Sequence, residues 1–250
     1  MTTSYSRIKQ AHGGYRPPTE MLDEIAAPAD AHVDDGDDEL PGGAATGIFL
    51  HALLEELPLP SVRETPALDG WGARDDVRAV IEPLLRRHGR DAGELRPALR
   101  LAHAALTAGL PHAAKTAREM EFLFPFPAEA GGPDRGFVKG FVDFIFEHDG
   151  RSYFGDWKTD RLPAWDAASV AAHVANNYAL QEQLYSLALV RMLGITDEAT
   201  YEARFGGTLY VFVRGLRHSP DAIRSRRPRF AELLYWQHDL AVTLEQGGPS

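Results

Sequence analysis

Asp143, Asp156 and Lys158 are the residues whose types and spacing point most directly to chemistry. Between the two aspartates lies Asp149-Gly150, flanked by alternating apolar runs, which is the signature of a two-residue hairpin turn of the primed type. Such a loop sets the register. His148 opposes Arg151, Glu147 opposes Ser152, and the series reaches Asp143 opposite Asp156. The turn therefore predicts two carboxylates on one face with Cβ atoms roughly 4.5–5.5 Å apart, provided no bulge intervenes. Lys158 lies two residues beyond Asp156 and projects from the same face.

Val138, Val142, Phe144 and Phe146 form an apolar face on the first strand. Its other face mixes Lys139, Asp143 and Glu147 with Phe141 and Ile145, and the second strand adds Phe154. Opposed like charges destabilise a hairpin, and more so beside apolar side chains. Either the pair shares a proton, or a cation sits between them, or the face is hydrated and the repulsion is small. Two carboxylates with carbonyl and water oxygens suit Mg²⁺ or Mn²⁺. An adjacent lysine can hold a water or a scissile phosphate while the metal acidifies the water and neutralises charge at phosphorus. The same geometry predicts that removing Asp143 from the metal-free protein relieves repulsion and raises stability.

Several elements must position these residues. A helix is expected from Thr46, as N-cap, to Leu57, before Pro58 and Pro60. Further helices are expected over 72–88 and 92–108, strands over 119–126, 136–148 and 151–158, and a long helix over 167–193. A strand over 207–214 and a helix over 220–246 complete the chain. Helices, three strands, helix, strand and helix make an α/β or α+β sheet covered by helices.

Composition narrows the field. The chain has 250 residues, 44% hydrophobic and 25% charged, so it is globular and large enough for a real core. It has no cysteine, which excludes disulfides, thiolate nucleophiles, cysteine zinc sites and iron–sulfur clusters. The net charge of −10 is local, because nine of the 36 acidic residues lie between Glu20 and Glu39, where no Lys or Arg occurs. That run reads as a solvated segment and lacks the ligand spacing of an EF-hand. Residues 1–43 are expected to be a tail or linker, and 44–250 one domain with a helical part to about 115 and a sheet core beyond. There is no signal segment or spanning stretch, so a cytoplasmic protein without membrane contact is expected.

Gly140-Phe-Val-Asp143 followed by Asp156-Trp157-Lys158-Thr159-Asp160 resembles the split motif of the PD-(D/E)XK nucleases. The flanking segments are similar to the RecB/AddA type: Ala45-Thr-Gly-Ile-Phe-Leu-His51, Tyr178-Ala-Leu-Gln181-Glu-Gln-Leu-Tyr185, Thr3-Ser-Tyr-Ser-Arg7 and Leu209-Tyr-Val-Phe-Val-Arg-Gly215. The resemblance spans nearly the whole chain. It implies a central mixed β-sheet flanked by helices, the restriction-endonuclease-like fold, with an added N-terminal helical region. It also implies that Asp143 and Asp156 bind metal through carboxylates, Trp157 through its carbonyl oxygen and His51 through its imidazole. Lys158 would orient the attacking water or the phosphate. Gln181 and Tyr185 would line the groove against DNA, with Tyr178 and Thr159 as further DNA-binding or supporting residues. Glu119 takes the place of a supporting strand glutamate, with Glu121 as a rival. Val142 stands where the family name has proline, a common departure in this branch.

His51 falls about 60° outside the edge of the apolar stripe of its helix, toward a cleft border. Arg224, Arg226, Arg227 and Arg229 form a basic cluster that either grips phosphates or begins a solvated helix. None of the four lysines follows a glycine, so the chain carries no P-loop motor. The expected function is a metal-dependent DNA nuclease acting on single-stranded or unwound ends in double-strand break repair. Its helicase partner would lie in cis, with this chain an excised domain, or in trans on a separate chain. The rival readings are a catalytically silent DNA-binding scaffold and a sequence-specific restriction enzyme.

Overall fold

The computed structural model describes residues 2–4, 40–110, 115–127 and 134–246. The acidic run from Glu20 to Glu39 and the expected segment's Arg7 lie outside them. After strand β1 (Thr2–Ser4), a helical layer comprises α1 (Ala44–Glu56), α2 (Leu59–Glu64), α3 (Leu68–Gly72), α4 (Asp75–Arg87) and α5 (Leu95–Thr107). Strands β2 (Lys115–Pro127), β3 (Asp134–His148) and β4 (Arg151–Lys158) follow, then helices α6 (Ala167–Asn177), α7 (Ala179–Met192) and α8 (Glu198–Arg204). Strands β5 (Phe205–Phe212) and β6 (Ile223–Arg226) and helix α9 (Phe230–Gln246) end the described fold.

The six strands form one mixed sheet. β2 and β4 run antiparallel to β3, β5 runs parallel to β4, and β6 runs antiparallel to β5. β2 occupies one edge of β3 along most of its length. The other edge is shared, with β1 at Phe137–Lys139 and β4 from Phe144 onward.

The helical layer follows from amphipathic patterning. In α4, Val77, Ile81, Leu84 and Leu85 are buried, while Asp75 and Asp76 open the helix and Arg86 and Arg87 close it, each complementing the helix dipole. Phe49, Leu50 and Leu53 of α1, Trp71 of α3 and Ala98 and Ala102 of α5 join that core, which reaches Val213 just past β5. On α7, Leu184, Tyr185 and Leu187 pack with Phe154 of β4 and Phe205 of β5.

Three expectations need correction. Gly43, at φ 98°, is the N-cap of α1, and its carbonyl accepts from the backbone N–H groups of Thr46 and Gly47. The Thr46 hydroxyl instead accepts from Arg90. The long helix over 167–193 is two helices meeting at Tyr178, where φ is −123° and ψ is 5°. Asn177 contributes to this break by turning its amide onto the His173 carbonyl, 2.9 Å away. The helix expected from 220 starts ten residues late, because residues 223–226 extend the sheet beside β5 and Pro228 precedes α9. No described helix is long and apolar enough to cross a membrane.

Candidate active site

The β3–β4 turn has the backbone its sequence demands, with φ of 49° at Asp149 and 73° at Gly150. The ladder runs in the expected register from His148–Arg151 to Phe144–Gly155 and ends there. One step further, Asp143 spends its carboxylate on the fork between the strands. Its Oδ2 accepts the backbone N–H of Trp157 at 2.6 Å, and its Oδ1 lies 3.1 Å from His51 Nδ1. A residue on α1, 92 positions away, thus closes the open end of the hairpin.

On β4, side chains alternate between two environments. Phe154 stacks edge-on against Tyr185, Asp156 Oδ1 accepts from Gln181 Nε2 at 2.9 Å, and Lys158 Nζ sits 4.2 Å from the ring centroid of Tyr178. All three therefore face α7 and its N-cap. Trp157 turns the other way, its ring 4.6 Å from that of Phe144. Lys158 Nζ lies 2.6 Å from Asp156 Oδ2, although that oxygen accepts no aligned hydrogen bond.

These ions are nearly out of solvent, with Asp156 3% and Lys158 6% exposed. Burial pushes the Asp156 acid up to about 7, where the opposing pulls of Lys158 and Asp143 leave it. Burial works against the Lys158 charge too, yet Asp156, Asp143 and Asp160 outweigh it and raise the ammonium above its ordinary range. For Asp143, burial is outweighed by His51, Lys158 and the Trp157 N–H, which hold the acid below the usual carboxylate range. The repulsion expected between the two aspartates therefore falls on Asp156. Removing Asp143 would relieve that repulsion but would also strip His51 and Trp157 of their shared acceptor, a cost that the expected stabilisation leaves out.

A cavity of about 330 Å³ opens beside Asp143, and neither Asp156 nor Lys158 lines it. His51, Asp143, Trp157, Phe144 and Phe146 line it on one side, and Ala105 to Ala108 of the α5 end on another. Arg118 of β2 also lines it and donates to the carbonyls of Leu54, Glu55 and Leu57, capping the C-terminal end of α1.

Among the described residues no three His, Asp or Glu side chains form a group that could hold a metal ion. The buried Asp156 carboxylate, one oxygen of which lacks an aligned donor, and the half-buried Asp143 carboxylate nevertheless form a hard-oxygen donor set at the strand fork, with the Trp157 carbonyl on β4 and the His51 imidazole on α1. The Glu119 side chain lies outside the described residues, and Glu121 is exposed.

The remaining expected residues have definite places. Gln181 and Tyr185 are 2% and 1% exposed, so neither lines an open groove: Gln181 anchors Asp156 and Tyr185 packs between Phe122 and Phe154. The Thr159 carbonyl accepts from Arg214, whose guanidinium also reaches the carbonyls of Leu40 and Pro41 and so ties the entry to α1 onto the end of β4. Tyr178 is buried, its hydroxyl 2.8 Å from both oxygens of Asp160. His173 Nε2 lies 3.2 Å from the same carboxylate. Burial would raise the Asp160 acid, but the bond to His173, the Lys158 charge and the Tyr178 hydroxyl hold it low. Asp160 and Arg214 stand inside the quoted segments without an assigned role, and His173 was not singled out; its only signal is the i, i+5 spacing to Tyr178 across a helix break.

Arg226 pairs with Glu182 and Glu232, Arg227 with Glu202, and Arg229 with Glu232. Three of the four arginines of the C-terminal cluster, all but Arg224, therefore pair with carboxylates of the protein itself.

The chain matches the model of the PD-(D/E)XK nuclease superfamily over residues 28–247. It is 31% identical to the RecBCD enzyme subunit RecB of Escherichia coli (strain K12), over 98% of this chain and 23% of that protein. Its identity to the RecBCD enzyme subunit RecB of Borreliella burgdorferi is 23%, over 76% of this chain and 18% of that protein. To an ATP-dependent helicase/nuclease from Limosilactobacillus fermentum it is 26% identical, over 77% of this chain and 14% of that protein. The chain thus spans less than a quarter of the length of these relatives.

Proposed function

Since this chain belongs to the PD-(D/E)XK nuclease superfamily and is related to RecB nucleases, we propose that it is the metal-dependent DNA nuclease part of a helicase–nuclease, hydrolysing phosphodiester bonds during double-strand break repair. The observation that carries this reading is the charged Lys158, buried against Asp156 at the fork where Asp143 meets Trp157. A lone lysine in that position would be costly, and the charges of Asp156, Asp143 and Asp160 around it favour its cationic form. A cation fixed beside two carboxylates is suited to gripping a phosphate oxygen or an attacking water.

Asp143, Asp156, the Trp157 carbonyl and His51 would hold Mg²⁺ or Mn²⁺. When bound, such an ion lowers the pKa of its water and neutralises charge developing at phosphorus. The protein's own groups do the positioning. His51 and the Trp157 N–H orient the Asp143 carboxylate, and Gln181 orients that of Asp156. Tyr178 supports Lys158 from below through its ring, and Thr159 continues the strand end that carries it. DNA, as single strands or unwound ends, is the substrate, and a helicase in cis or in trans supplies it.

Digestion of an end-labelled single-stranded oligonucleotide tests this. Cleavage with Mg²⁺ or Mn²⁺ that stops with chelator is expected. No cleavage with any divalent ion, alongside retained binding, would leave a DNA-binding scaffold; cutting confined to one short sequence would make it a restriction enzyme.

A further inference from the structure

The Asp156 carboxylate has one oxygen for two cations. Its Oδ1 accepts from Gln181 Nε2 at 2.9 Å, whereas Oδ2 accepts no aligned hydrogen bond and lies 2.6 Å from Lys158 Nζ. A divalent ion held by Asp156 would compete with the lysine for that oxygen and repel its charge. Whether Lys158 then stays in place depends on what else holds it.

Away from Asp156, the ring of Tyr178 lies 4.2 Å from Nζ and that of Tyr210 5.9 Å. The two rings are stacked, with centroids 5.6 Å apart. Ring faces attract a cation but carry no net charge. A full charge comes from Asp160, two residues beyond Lys158 and only 7% exposed. Its field is among those that raise the Lys158 ammonium, and the Lys158 charge in turn helps to hold the Asp160 acid low.

Asp160 is oriented independently of Asp156. The Tyr178 hydroxyl stands 2.8 Å from both of its oxygens, and His173 Nε2 stands 3.2 Å from Oδ1. Asn177 Nδ2 lies 3.3 Å from His173 Nδ1, and an amide nitrogen only donates, so the ring proton is on Nε2, facing Asp160. Tyr178 and Phe212 pack edge-on against the His173 ring at 5.8 and 5.6 Å and fix its plane. Tyr178 thus gives its hydroxyl to the anion and its ring face to the cation. A joint between α6 and the end of β4 could use a neutral side chain at 160 and avoid burying another carboxylate near Asp156.

We propose that Asp160, oriented by His173 and Tyr178, is the positioning residue for Lys158 and keeps its ammonium in place when the Asp156 carboxylate is committed to a divalent ion. This rests on the nuclease reading and deepens it by naming what retains its lysine.

The first test uses the ammonium N–H spectrum of isotope-labelled protein. The chain has four lysines, and Lys158→Ala identifies the Lys158 signal. A caged ammonium exchanges its protons slowly enough to be seen, and a solvated one does not. The signal is expected in the unaltered chain with and without Mg²⁺, and in Asp160→Asn it should be lost at the latest when Mg²⁺ is added. A signal absent from the unaltered chain in either condition, or surviving Mg²⁺ in Asp160→Asn, overturns the proposal.

The second test is single-turnover cleavage of a labelled single strand. Asp160→Asn should slow cleavage at saturating DNA at least about tenfold, shift the half-saturating concentration less than about twofold, and add nothing in a Lys158→Ala background. Equal slowing in both backgrounds makes Asp160 merely structural, and that result, or slowing in neither, overturns the proposal while leaving the nuclease reading intact. If the unaltered chain cuts nothing and Mg²⁺ shifts no signal, both fall. Thermal melts check folding. Should Asp160→Asn not fold, His173→Gln replaces it in the same cycle, with about threefold slowing expected only where Lys158 is kept. Slowing in both backgrounds, or in neither, again overturns the proposal.

Discussion

The helical layer and the α7-facing side of β4 are both well buried, but they bury opposite kinds of side chain. In the helical layer the interior is Phe49, Leu50, Leu53, Trp71, Ile81 and Leu84, and its polar exceptions have partners. Ser61 takes the Trp71 indole N–H at 2.8 Å and gives its own proton to the Pro58 carbonyl. Beside β4 the interior holds Asp156, Lys158, Asp160, Gln181 and Glu182. Stripping ions of water costs several kcal/mol each, recovered only in part by pairing. One region maximises cohesion, whereas the other retains charges that an all-apolar packing would dispense with. The contrast separates what holds the molecule together from what is available for chemistry, and the His51–Asp143 contact joins the two.

Substitutions should therefore act oppositely in the two regions. Lys158→Ala is expected to reduce the cleavage rate roughly 10²–10³-fold at saturating substrate, the usual loss for one preorganised charge donor. A rate within threefold of wild type in single-turnover assays would take the lysine out of the chemistry. Leu84→Ala in the helical layer should cost about 2–5 kcal/mol in urea unfolding, with cleavage per folded molecule preserved. A loss under 1 kcal/mol there would show that the apolar region is not the cohesive one.

Asp156→Asn should reverse the sign. The acid is raised to about 7 in the fold from an ordinary 3.8, so the folded state binds more protons than the unfolded one. Its contribution to stability is complete below the ordinary value and disappears as pH rises through about 7. In chelator at pH 8 the variant should melt at or above wild type, and the gap should close toward pH 4. A variant that melts lower at pH 8 would mean that the Lys158 pairing outweighs the burial of Asp156.

Tyr178→Phe makes the smallest change, removing the hydroxyl from Asp160 while leaving the ring against Lys158. A loss of about 1 kcal/mol is expected from one buried hydrogen bond. Asp160 is held low, so its stabilisation exists above its ordinary value and is lost as pH falls through the depressed one. Without the Tyr178 hydroxyl that loss should begin at higher pH, seen as an acid unfolding midpoint shifted upward. An unmoved midpoint would assign Asp160 to His173 alone.

Much of this was legible in the residues because it is short-range. The Asp149-Gly150 turn has one comfortable backbone, and strand alternation carries its register as far as Phe144 and Gly155, one residue short of Asp143 and Asp156, without reference to the rest of the fold. The apolar stripes of α1 and α4 are equally local. Asn177 and Pro228 show the limit: each interrupts an otherwise helical pattern, but how far a break propagates depends on what the freed segment packs against. Residues 223–226 became a strand because the edge of β5 was open beside them.

The amino-acid sequence by itself determined the hairpin, its register and the side of β4 on which the ionisable groups stand, since bond geometry and a two-residue period suffice for all three. Only the tertiary structure decided which aspartate stays ionised easily, which histidine reaches the fork and which carboxylates Arg226, Arg227 and Arg229 pair with. Those outcomes depend on burial and on partners as far as 92 positions away, and electrostatic balance in a low-dielectric interior is set by every neighbour at once.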